Sequence, residues 1–141
     1  MGRLKWIKKM SAYHTNIENE TLENNYFRKV LFTGKYSQLV VMTLKPGEEI
    51  GNEIHKNVDQ FFRIEQGKAK VSLDNGREEF RVSEDEVFII PAGTWHNVVN
   101  IGEVDLKLYT IYSPPNHPDG TIHKTKKEAE EYERKHHAKN S

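Results

Sequence analysis

The sequence predicts an all-β domain, a sandwich or a barrel, followed by a C-terminal surface helix. Three observations carry that expectation. Between about residues 28 and 112, short β-prone runs alternate with turn residues at the spacing of a sandwich or barrel, not of strand–helix–strand units. Asn75-Gly76 separates two of these runs, and Asn-Gly is the strongest short-range signal for a two-residue type I′ hairpin, because both central positions need positive φ. After residue 124 there is no β-branched run, and Lys, Glu and Ala, all good helix formers, take over.

A chain of 141 residues is one domain's worth. Residues 1–20 are expected to form a weakly ordered arm, with Trp6, Ile7 and Tyr13 available to dock on a barrel face or a partner subunit. The barrel is expected to occupy residues 21–123, with strands near 29–33, 38–44, 60–65, 69–73, 78–82, 87–90, 96–100 and 106–112. The segment 124–141 reads as a helix and tail, with Thr125 placed to cap its start. It is polar nearly all round, so it belongs on the surface.

Composition narrows the chemistry. Lys plus Arg and Asp plus Glu number 21 each, so no overall field draws the chain to nucleic acid or to acidic lipid. The absence of cysteine excludes disulfides, thiolate zinc sites and cysteine nucleophiles, and leaves His, Asp, Glu and Gln for any chemistry. No run approaches the ~20 apolar residues of a spanning helix, and the basic N-terminus lacks the apolar core of a signal peptide. The expectation is a soluble protein of the reducing cytoplasm, with neither a nucleic-acid nor a membrane partner.

Two stretches carry metal-capable side chains beside glycine turns. Glu53 and His55 lie two apart, so on extended backbone both face the same way and can grip one ion. A bend through residues 56–59 would bring Gln60 beside them, with Phe62 and Ile64 continuing that face as an apolar lining. His96 opens a later run after the turn Pro91-Ala92-Gly93, with Val98 and Asn100 on its face. A barrel lets strands distant in the chain aim such ligands at one interior point.

Spaced in this way, the two stretches resemble the paired motifs of the cupin superfamily, G(X)5HXH(X)3,4E(X)6G and G(X)5PXG(X)2H(X)3N. Gly47, Glu53, His55, Gln60 and Gly67 reproduce the first spacing; Pro91, Gly93, His96 and Asn100 reproduce most of the second. The resemblance covers roughly residues 29–112 and is to small single-domain cupins of the type-2 conserved-barrel group. It implies a double-stranded β-helix, or jelly-roll barrel, with a divalent metal on Glu53, His55, Gln60 and His96. Three positions depart from the pattern: Glu53 replaces the first histidine, Gln60 the glutamate, and Asp85 the leading glycine of the second motif. The first two compensate in charge, leaving two imidazoles, one carboxylate and one amide. Such mixed nitrogen and oxygen donors suit Fe, Mn, Zn, Ni or Cu.

The expected function is that of a small metal-dependent enzyme acting on an oxygenated organic substrate, of dioxygenase or of sugar or sugar-phosphate isomerase type. The alternative is a non-catalytic module binding a small ligand or sugar. No catalytic acid or base is identifiable. A homodimer is expected from the apolar edge strands. His14, His117, His123, His136 and His137 read as surface residues. Of these, His117 sits in the stiff loop 113–120, which is placed to cover a barrel mouth. Trp95 and Tyr109 read as packing residues.

Overall fold

A computed structural model describes residues 12–140. Nine strands follow a short helix: α1 (Ile17–Glu23), β1 (Arg28–Thr33), β2 (Gln38–Leu44), β3 (Asp59–Gln66), β4 (Ala69–Leu73), β5 (Glu78–Val82), β6 (Val87–Ile90), β7 (His96–Asn100), β8 (Leu106–Ser113) and β9 (Ile122–His123), with α2 (Lys126–Asn140) last. A six-stranded sheet of order β6-β3-β8-β2-β1-β9 faces a three-stranded sheet of order β5-β4-β7. All pairings are antiparallel, and the architecture is the double-stranded β-helix.

The core follows from alternation along the strands. Phe62 and Ile64 of β3, Val98 of β7 and Leu106 and Leu108 of β8 are fully buried between the sheets. Each such side chain contributes roughly 1.5–3 kcal/mol of burial. Phe62 stacks on Phe88 with centroids 4.5 Å apart, while Phe61 on the opposite face lies 6.2 Å from Tyr109. β2 breaks the alternation, since Val41 is as buried as Val40 and Met42. The reason is α1, which packs against β2, β3 and β8 on the outer face of the larger sheet.

Helix α1 is an element the sequence reading did not anticipate. Asn16 caps it by accepting from the Asn19 amide at 3.0 Å, and Glu18 and Glu20 favour its first turn. Its C-terminal exit is tied to the barrel through a buried ammonium: Lys107 donates to the Asn24 carbonyl and, at 3.2 Å, to Asn25 Oδ1. Burial pulls the Lys107 pKa below its ordinary value. Tyr13 stacks on Phe32 of β1 with centroids 5.2 Å apart, whereas Trp6 and Ile7 lie outside the described residues.

The β4–β5 hairpin forms, but not through a two-residue turn. Leu73 pairs with Glu78, leaving 74–77 as the loop, and Asp74, Asn75 and Gly76 take φ of 51°, 60° and 93°. The turn starts early because the Asp74 amide donates to the Trp95 carbonyl at 2.9 Å. At the other end, Thr125 caps α2, accepting from the Glu128 amide at 3.1 Å. Ala129 is buried against the core cluster, so this mostly exposed helix is pinned along one line. Among the described residues, no helix is long and apolar enough to cross a membrane.

Candidate metal centre

The segment before β3 is not a strand of its own but is held as one edge of the smaller sheet. Ile50 donates to Val98, and Glu53 and His96 exchange two backbone hydrogen bonds of 2.9 Å. That exchange sets the two side chains against each other. The next turn is fixed twice: the Gly93 amide donates to the His55 carbonyl at 2.8 Å, and the Ala92 amide donates to Asp59 Oδ1 at 2.9 Å. Asp59 thus faces outward, while Gln60 beside it is 1% exposed.

These constraints bring three predicted residues together. Glu53 Oε1 lies 3.1 Å from His55 Nε2 and 3.7 Å from His96 Nε2. One donor atom from each of the three falls within 4.8 Å of the others. His96 is oriented by its second nitrogen: Nδ1 lies 2.9 Å from the Thr94 carbonyl, which can only accept, so Nδ1 carries the proton. In the neutral ring Nε2 then offers a lone pair, and this buried atom has no hydrogen-bond partner.

The electrostatics follow the same geometry. Burial alone would raise the Glu53 pKa, but the adjoining His55 and His96 imidazoles overcome it and hold the carboxyl well below the usual range. Burial alone would lower the His96 pKa, but the Glu53 carboxylate and the Thr94 carbonyl hold it above its ordinary value.

Gln60 occupies the inward face of β3 opposite Tyr112 of β8, and the Tyr112 ring stands edge-on to His55 with centroids 5.6 Å apart. Its amide donates to Thr110 Oγ1 at 3.0 Å, and its carbonyl oxygen is a second buried atom without a partner. The orphaned His96 Nε2 beside a carboxylate and a second imidazole makes a donor set that fits a divalent metal.

Glu53 and His55 open into a cavity of about 890 Å³, with His96 buried behind them. Arg28, Trp95, His117 and Tyr132 form much of the remaining wall. Three sequence expectations are corrected here. Trp95 borders the cavity and is not a packing residue alone. His117 is half-buried, with Nε2 3.2 Å from the Tyr112 hydroxyl, because buried Gln38 grips its loop: Gln38 donates to the His117 carbonyl at 2.7 Å and accepts from the Asn116 and His117 amides. His123 is buried, its Nδ1 3.2 Å from Arg28 Nη1. His14 is exposed as expected.

Arg28, Gln38 and Tyr112 were missed as site residues. For Arg28 and Tyr112 a signal existed, since alternation puts Arg28 on the inward face with Val30, and Tyr112 on the inward face with Leu108 and Thr110. Polar residues on an inward face need a reason to be there.

A model of the cupin domain matches residues 40–112, just over half of the chain. The chain belongs to the cupin family. This cupin is 52% identical over 118 residues to the uncharacterized protein YrkC of Bacillus subtilis, an alignment covering 81% of this chain and 63% of YrkC. It is 47% identical over 113 residues to protein L612 of Acanthamoeba polyphaga mimivirus, covering 79% and 71% of the two chains. The crystal structure of BH2720 from Bacillus halodurans superposes with a TM-score of 0.84 at 45% identity, covering 88% of this chain and 97% of that one.

The departures from the cupin pattern acquire physical reasons. Asp85, which replaces a glycine, takes φ of 69°, the left-handed conformation for which glycine is usual and Asp is tolerated. Its carboxylate is 3.0 Å from Arg63. Gly67, which keeps the pattern, takes φ of 98°, and a Cβ there would press to 3.2 Å from the Asp105 carbonyl oxygen.

Proposed function

We propose that Glu53, His55 and His96 hold a divalent transition metal with Gln60 as a fourth, weaker ligand, and that this cupin acts on a small oxygenated organic molecule. The observation that carries the reading is His96: its Nδ1 is fixed by the Thr94 carbonyl and its buried Nε2 is left free beside a carboxylate and a second imidazole. Orientation of a ligating histidine through its other nitrogen is how metal sites are commonly built.

A bound metal would polarise substrate oxygens as a Lewis acid, the chemistry an isomerase or a dioxygenase draws on. The chain's own residues supply the rest. Trp95 and the loop around His117 wall the cavity, and the Tyr112 hydroxyl lies 3.2 Å from His117 Nε2. Neither Tyr112 nor His117 is tuned to exchange a proton near neutrality. Burial raises the Tyr112 pKa far above its usual value, and burial together with the charge of Arg28 lowers that of His117 to about 3. This favours, as a second reading, a module that binds a small ligand without turning it over.

Elemental analysis of the purified protein, followed by oxygen-uptake measurements on the Fe(II)-loaded form, tests the pair. Stoichiometric metal is expected. Absence of metal under metal-replete conditions would sink the metal-dependent enzyme and leave the ligand-binding module, and zinc alone with no oxygen uptake would remove the dioxygenase.

We further propose a homodimer through β6. This edge strand exposes Val87 at 51% and Ile89 at 61%. Light scattering across a concentration series should give twice the monomer mass, and a monomer throughout would refute it.

A further inference from the structure

Arg28 is the first residue of β1 and points inward beside Val30. It is 6% exposed, yet none of the ion pairs among the described residues includes it. Nη1 meets His123 Nδ1 at 3.2 Å, the guanidinium lies 5.2 Å from the Phe27 ring centroid, and Nε has no partner. A buried cation without a direct ion-pair partner is costly, and the Glu53 carboxylate, which acts on Arg28 through space, makes no ion pair with it. His117 and His123 both have pKa values lowered by burial and by Arg28, so they stand neutral. The Glu53 carboxylate is engaged by His55 and His96, and Glu133, an exposed residue on α2 at the rim, is not within ion-pairing distance. The guanidinium therefore stands on the cavity wall without a direct ion-pair partner, and a metal on the triad would take up the Glu53 charge and leave Arg28 as the cation still to be matched.

We infer that this cavity takes a small organic carboxylate, its carboxylate group paired with the Arg28 guanidinium and its remaining oxygens directed towards Glu53, His55 and His96. A carboxylate matches the planar fork of a guanidinium. Arg28 is the one Arg or Lys on the cavity wall among the described residues. A phosphoester would call for further cations or a helix N-terminus, and the wall residues of α2, Tyr132, Glu133 and His136, lie beyond its first turn. The Arg28 half of the inference stands on its own; the placement of the other oxygens rests on the metal reading above.

The test uses the full chain, with and without metal, and four probes: acetate, pyruvate, acetamide and inorganic phosphate. In chelator-treated wild type, acetate and pyruvate should raise the thermal midpoint and acetamide should not. Arg28→Gln should abolish that response, and Arg28→Lys should keep part of it. With metal restored, pyruvate should bind about tenfold more tightly than acetate by calorimetry, and His55→Ala should lose that preference while keeping the acetate response. Equal responses to acetate and acetamide, or equal acetate responses in wild type and Arg28→Gln, overturn the inference. Phosphate binding more tightly than either carboxylate overturns the choice of carboxylate. If Arg28→Gln does not fold, the acetate–acetamide comparison on wild type decides. An acetate response in protein that takes up no metal retires the metal reading and leaves Arg28 standing; bound metal without an acetate response does the reverse.

Discussion

The two walls of the cavity are built in opposite ways. On one wall, Glu53 and His55 lie two residues apart, and Glu53 is fastened to His96 by a reciprocal backbone bridge. On the other, Arg28 meets His123 across 95 residues of chain, and Gln38 reaches 79 residues to hold His117. The first wall is specified by local spacing plus one strand pairing. The second exists only once β1, β9 and the loop after β8 have all come together, so its residues carry no short-range pattern. Metal-capable chemistry is thus concentrated where the sequence is repetitive in spacing, and charge and shape recognition where it is not.

Substitutions should separate the walls. The largest effect is expected from His55→Ala or His96→Ala, each lowering metal affinity by more than about 100-fold while leaving circular dichroism and the thermal midpoint of metal-free protein nearly unchanged, because the barrel core does not include the ion. Unfolding of either variant would show instead that the first wall is structural.

Next comes Gln38→Ala on the second wall. It strands two loop amides and a carbonyl, and should cost roughly 2 kcal/mol in denaturant unfolding with metal stoichiometry intact. Loss of metal there would mean that the walls are coupled.

Gln60→Leu should weaken metal binding by about tenfold in chelator competition, or roughly 1.4 kcal/mol, and Gln60→Glu should strengthen it by adding a second carboxylate. Identical affinities across wild type and both variants would remove Gln60 from the ligand set.

The smallest effect is a pH dependence. The folded His117 pKa is about 3 against an ordinary 6.5, so between those values the unfolded chain binds a proton that the folded chain refuses. Its contribution is present above pH 6.5 and is lost progressively as the pH falls towards 3. In metal-free protein, His117→Gln should flatten the stability profile across that window, as read by thermal melts at stepped pH; an unchanged slope would show that other groups dominate.

The legibility of the sequence follows the same division. The strands were readable because their inward residues alternate and turn residues bound them, and Asp85 and Gly67 mark backbone that needs left-handed or close-packed geometry. Glu53, His55 and His96 were readable as a cluster because two motifs specify one pairing. Arg28 was lost because the expected first strand began at residue 29, one residue after β1 starts. Helix α1 was lost because its seven residues carry little periodicity and its order comes from packing on the larger sheet. The hairpin turn was mistyped because the Trp95 carbonyl claims the Asp74 amide, a tertiary contact with no local trace.

The ammonium of Lys107 gives the stretch before the barrel a standing that its short helix alone would not. Asn24 and Asn25 are the acceptors recorded for that interior charge, and Thr43 also donates its hydroxyl to the Asn24 carbonyl. A shortened chain starting at Tyr26 would keep every strand, yet would remove both acceptors of Lys107 and take α1 off the outer face of β2 and β8. Trimming the segment before β1 to obtain a minimal barrel would thus open to water an outer face that includes the buried Val41.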